Sequence, residues 1–91
     1  MVKVKIPHFL RSKGEQEIEL EATDIRELIE KLEERIHGVK SIIYDEKGDL
    51  NPFINIFVND EDIRFLEGLD TKLKDGDKIL IMPAIAGGDE N

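Results

Sequence analysis

Ile25, Leu28, Ile29, Leu32 and Ile36 recur at helical spacing, while Arg26, Glu30, Lys31, Glu33 and Glu34 take the other side. The result is a single one-faced helix over about 25–36. Asp24 stands three residues before Glu27 in a capping-box-like start, with Asp in place of Ser or Thr, and Gly38 stops the helix. Whatever this chain folds into must offer one apolar surface to one principal helix.

The segments on either side supply that surface at period two. Val2, Val4 and Ile6 alternate with Lys3 and Lys5, and Pro7 closes the strand. Arg11-Ser12-Lys13-Gly14 reads as a hairpin connection, after which Ile18 and Leu20 alternate with Glu17, Glu19 and Glu21 as the returning strand. Val39 and Ile42 are expected to pin a loop running through Asp45-Glu46-Lys47-Gly48-Asp49, a turn-rich stretch. The run Phe53-Ile54-Asn55-Ile56-Phe57-Val58 has the content of a central strand. Asn55 prefers solvent, so Ile54, Ile56 and Val58 should face the core, with Phe53 and Phe57 outside. A short edge strand is expected around Ile63-Arg64-Phe65. Asp75-Gly76-Asp77 turns into the last strand, Lys78 to Met82, which Pro83 ends.

A hairpin, a helix and further strands, each with one apolar face, make an α+β fold in which a mixed sheet packs on one principal helix. That is the β-grasp, or ubiquitin-like, architecture. Its first and last strands lie side by side and parallel, so Ile79 and Ile81 join Val2, Val4 and Ile6 beneath the helix while Leu80 and Met82 point outward. The domain is expected over 1–83, with a flexible tail over 84–91.

Composition restricts function. Ninety-one residues suit one core. A net charge of -8 argues against nucleic acid and favours basic protein surfaces. No apolar run approaches a membrane span and no signal-peptide core is present, so a cytoplasmic location is expected. Without cysteine the chain has no disulfide, no thiolate metal site and no thioester of its own; any nucleophilic sulfur must come from a partner. His8 reads as an exposed turn residue and His37 lies where its cation would meet the helix dipole; the two lack the spacing of a metal site. No phosphate loop is present, and Glu17, Glu19, Glu21, Glu30, Glu33 and Glu34 read as solvated surface.

The chemistry, if any, lies near the end, at Ile85-Ala86-Gly87-Gly88. Paired glycines let an extended backbone pass through a channel too narrow for other residues. The bland alternative is a frayed terminus, where nothing requires residues to pack. On the sheet's outer face, Phe57, Leu80 and Met82 make a candidate partner-docking patch beside that tail, although single exposed apolar residues are common.

Leu73-Lys74-Asp75-Gly76-Asp77 followed by a strand, Pro83 and Gly87-Gly88, with Val58-Asn59 earlier, resembles the C-terminal signature of the ubiquitin-like sulfur carriers of the MoaD/ThiS family. The resemblance is strongest to the small subunit of molybdopterin synthase; ThiS-like carriers are similar but typically shorter and lack the proline. It implies that an E1-like adenylyltransferase (MoeB/ThiF-like), holding ATP and Mg, adenylates Gly88. A sulfur donor enzyme then converts the adenylate to a thiocarboxylate. Gly87 would let the tail through the catalytic cleft, Ala86 and Ala84 would keep it slim, and Ile85 would anchor it. The chain itself would bind no cofactor and no metal. The implied destination is molybdopterin (molybdenum cofactor) synthesis, with a MoaE-like large subunit as partner. One departure is that Asp89-Glu90-Asn91 follow Gly88, so a processing protease is expected. A covalent protein modifier and a non-covalent interaction module are the alternatives.

Overall fold

The computed structural model describes residues 1–7 and 17–84. The elements run β1 (Val2–Lys5), β2 (Glu17–Leu20), α1 (Ile25–Arg35), α2 (Val39–Ile43), β3 (Ile54–Val58), β4 (Glu61–Asp62) and β5 (Lys78–Pro83), with 3-10 turns at Ile63–Phe65 and Gly68–Asp70. The sheet order is β2-β1-β5-β3-β4. β1 pairs antiparallel with β2 and parallel with β5, and β5 pairs antiparallel with β3. This is the expected β-grasp sheet, with its last strand at the centre. The expected hairpin connection at Arg11-Ser12-Lys13-Gly14, and His8, lie outside the described residues.

Period-two alternation becomes one buried face. Val2, Val4, Ile18, Leu20, Ile54, Ile56, Val58, Ile79 and Ile81 lie against Ile25, Leu28, Ile29 and Leu32 of α1. Each buried aliphatic contributes about 1.5–3 kcal/mol, so the helix is held chiefly by this face. Its start is fixed as the sequence suggests: the Glu27 amide donates to Asp24 Oδ1 at 2.8 Å. The reciprocal contact differs from a standard capping box, because Glu27 Oε1 accepts from the amide and hydroxyl of Thr23, not from the cap residue.

Two local expectations need correction. The loop expected after Gly38 opens with a helix, α2, whose Val39 and Ile43 are buried. Gly38 has φ +96°, which redirects the chain, and Glu33 accepts from the Gly38 and Lys40 amides, each at 2.9 Å. The carboxylate of one helix thus caps the next. The edge strand expected at Ile63-Arg64-Phe65 is a 3-10 turn, and the edge strand is the two-residue β4 before it. Buried Ile63 anchors that turn, and Asp62 Oδ1 accepts from the Arg64 amide at 2.8 Å, a local bond that competes with strand pairing.

Candidate functional site: the strand that delivers the tail

β5 is paired on both sides, and both of its ends are fixed. At its start, Gly76 turns with φ +90°. The Asp77 carboxylate accepts from the Lys74 amide at 2.8 Å and from Asn59 Nδ2 at 2.9 Å. Asn59 in turn accepts from the Lys78 amide through Oδ1 at 3.0 Å, and its own amide donates to the Lys78 carbonyl at 2.8 Å. Asn59 and Asp60 both have positive φ, 50° and 75°, in the tight turn between β3 and β4, where short polar side chains tolerate the left-handed region best. The segments Val58-Asn59 and Leu73 to Asp77, separate in sequence, are one clamp in space.

At its far end, β5 does not stop before the proline. Pro83 lies opposite Ile54, and the Ala84 amide donates to the Phe53 carbonyl at 2.8 Å. That bond makes Ile54–Pro83 a non-hydrogen-bonded pair, the ladder position at which a missing N–H is harmless on this side. The pairing therefore holds the backbone through Ala84, and β5 includes Pro83, one residue beyond the Met82 end expected for the strand. Ile85, Ala86, Gly87 and Gly88 lie outside the described residues, as do Asp89, Glu90 and Asn91.

The outer-face residues come together as expected. Phe57 stands directly opposite Leu80, and Met82 opposite Asn55. Phe57 and Leu80 are half-buried, while Met82 is 39% and Phe53 64% exposed. A shallow groove of about 320 Å³ runs beside them, lined by Lys5, Ile6, Pro7, Leu80, Met82 and Pro83 among others. Ala84 is half-buried at the end of this surface. Sequence reasoning missed Arg64. Its guanidinium donates to Asn55 Oδ1 at 2.7 Å and to the Ile54 carbonyl at 2.8 Å, covering the β3 edge beyond the short β4. Nothing in the local pattern signals that reach.

His37 is exposed between α1 and α2. Among the described residues no group of three or more His, Cys, Asp or Glu could hold a metal ion, and no helix is long and apolar enough to cross a membrane. The shifted carboxylates have structural causes: amides of Gly38 and Lys40 hold Glu33 below its ordinary value, and Thr23 does the same for Glu27.

The described chain thus ends on a strand that is paired on both sides and held through Ala84. The family model described as the ThiS family matches residues 4–88, nearly the whole chain and ending on Gly88. The chain belongs to the ThiS family. It has the ubiquitin-like sulfur-carrier fold of the CysO type, and membership implies an E1-like activating partner of the ThiF/MoeB type.

Among its relatives, the sulfur carrier protein CysO of Mycobacterium tuberculosis is 40% identical over 91 residues, covering 96% of this chain and 98% of the relative. A chain of the Amycolatopsis orientalis BexX/CysO complex is 43% identical, with a TM-score of 0.87, covering 97% of this chain and all of that one. The small archaeal modifier protein 1 of Methanosarcina acetivorans is 38% identical, with a TM-score of 0.79, covering 96% and 95%.

These findings overturn the molybdopterin destination expected from the tail signature. A Pyrococcus furiosus structure described as subunit 1 of a molybdopterin converting factor superposes less well, with a TM-score of 0.59 at 36% identity, than do the CysO and modifier structures. What the family match supports is an activating partner; it does not extend to a MoaE-like large subunit. The error has a physical cause: a short terminal motif of Pro83 and paired glycines carries no information about the surface that a downstream acceptor would recognise.

Proposed function

We propose that this protein is a sulfur carrier of the CysO and small-archaeal-modifier type, activated at the carboxylate of Gly88. The observation that carries the reading is the family match ending on Gly88. A carboxylate resists nucleophiles because it is anionic and resonance-stabilised, so it must first be activated. On the activating enzyme, which holds ATP and Mg, an oxygen of the Gly88 carboxylate attacks the α-phosphorus of ATP and expels pyrophosphate. A sulfide-level donor then attacks the acyl carbon, AMP leaves, and the product is a thiocarboxylate. This chain contributes the electrophile and the means of presenting it.

The tail roles follow from size. Gly87 leaves the backbone slim, Ala84 and Ala86 add only a methyl each, and Ile85 offers an apolar anchor for an extended segment laid in a groove. Phe57, Leu80 and Met82 are the surface on which the activating enzyme docks. Asp89-Glu90-Asn91 must be removed first. While Asp89 is attached, Gly88 carries a peptide carbonyl and has no carboxylate to adenylate. A processing protease would supply that step.

A second reading is favoured by the modifier relative: activated Gly88 passes to a lysine amine of another protein, forming an isopeptide bond and releasing the activating group. Both fates share the adenylate. Mass spectrometry of the native protein tests them together. A free chain ending at Gly88 with one carboxyl oxygen replaced by sulfur supports the carrier, whereas Gly88 found on lysines of other proteins supports the modifier. A native chain that always retains Asp89, never in either state, contradicts both.

A further inference from the structure

Phe65 is the most exposed large apolar side chain among the described residues, at 85%, and Leu66 beside it is 38% exposed. A ring left in water usually sits on a loose turn; this turn is fastened. Ile63 is fully buried beneath it, and the Leu66 amide closes it on the Ile63 carbonyl at 2.9 Å. Arg64 spends its guanidinium on Asn55 Oδ1 at 2.7 Å and on the carbonyls of Ile54 at 2.8 Å and Asn51 at 3.2 Å. Those acceptors mark the end of β3 beside which the tail leaves, since Ile54 opposes Pro83 and Phe53 accepts from Ala84.

The surroundings are acidic. From Asp60 to Asp70 the sequence holds five carboxylates and one base. Asp62 faces Arg64 and Asp70 faces Arg26. Asp60, Glu61 and Glu67 have no ion-pair partner among the described residues and are exposed. A second copy of so acidic a chain is a poor match for this surface; a basic protein surface is a good one.

We propose that Phe65, in an acidic stretch whose exposed Glu67 lies two residues on and has no ion-pair partner among the described residues, is an anchor that inserts into an apolar pocket edged by lysine or arginine on the enzyme that activates the tail. The inference rests on the activation of Gly88 proposed above. The enzyme must hold the body while the tail lies in its cleft, and Phe65 follows Arg64, whose guanidinium reaches the end of β3 against which Ala84 pairs, so an enzyme that takes the tail there would also cover this turn. Presentation on a fixed turn lowers the ordering cost of binding, and a buried aromatic with a polar rim is the usual form of an interface hot spot.

The test uses the chain ending at Gly88 and its cognate activating enzyme, measuring ATP–pyrophosphate exchange against carrier concentration. Phe65→Ala should raise KM for the carrier about tenfold or more, with kcat and the thermal midpoint unchanged, because the ring fills no part of the core. Glu67→Lys should raise KM and weaken its dependence on salt. A Phe65→Ala KM equal to that of the parent overturns the proposal. If the parent supports no exchange, the activation reading fails separately, and calorimetric titration into the same enzyme decides the anchor. Binding lost on Phe65→Ala sustains it; equal binding, or none by the parent, overturns it. Dimerisation of the parent that Phe65→Ala abolishes would assign the ring to a second copy and also overturn it.

Discussion

Asn59 and Asp77 lie 18 residues apart in sequence and share a hydrogen bond of 2.9 Å between the Asn59 amide and the Asp77 carboxylate. Each also binds backbone at the start of β5, Asp77 through the Lys74 amide and Asn59 through the Lys78 amide. The pair therefore ties the β3–β4 turn to the turn that launches the strand carrying the tail. Replacing Asn59 with Ala removes its two side-chain bonds, to the Asp77 carboxylate and from the Lys78 amide, and leaves a β-carbon at φ 50° without the compensating side chain. The expected loss is roughly 2 kcal/mol, and Asn59→Gly should lose less because glycine accepts that φ without strain. Urea unfolding of the two variants checks the order; an Ala variant as stable as the parent would show that the clamp is not stabilising.

The join between α1 and α2 should weaken in acid. Glu33 is held below its ordinary value chiefly by the Gly38 amide and then by the Lys40 amide. Its folded value is thus depressed, so its contribution is present above the ordinary Glu value, about 4.3, and is lost as pH falls through the folded value. Glu33→Gln should lower the thermal midpoint at neutral pH and flatten its fall below about pH 4.5. Parallel midpoint curves for parent and variant would remove this account of the helix pair.

Sequence reading reached the sheet, its register of inward and outward residues, and α1, because those depend on periodicity over several residues. It missed α2 because five residues carry too little periodic signal. That helix depends on a cap supplied by Glu33 from the helix before it, a contact no local pattern shows. At Ile63-Arg64-Phe65, apolar–polar–apolar alternation over three residues fits strand and turn alike; what decides is Asp62 bonding the Arg64 amide and Arg64 reaching back to Ile54. At the site, the outward face of Phe57, Leu80 and Met82 was legible from alternation along β3 and β5, while Gly87-Gly88 lie outside the described residues. The destination was not legible, since a tail motif holds no information about the surface of an acceptor.

The outer face should matter for binding and not for folding. Met82 is 39% exposed, so Met82→Asp leaves the core intact. On a docked surface the new carboxylate would be desolvated without a partner. Its Kd for the activating enzyme should rise about tenfold or more, with the thermal midpoint close to that of the parent. Calorimetric titration measures it, and an unchanged Kd would place the contact elsewhere on the sheet.

The central claim is that Gly88 carries the activated carboxylate. The direct measurement is ATP–pyrophosphate exchange by the cognate activating enzyme with three chains: full length, ending at Gly88, and ending at position 88 with Gly88→Ala. The account predicts strong exchange for the chain ending at Gly88 and weak or no exchange for the other two. Full-length chain, shown by mass to be uncleaved, that exchanges as well as the shortened one would contradict the need for processing; no exchange by the chain ending at Gly88 would contradict the claim itself.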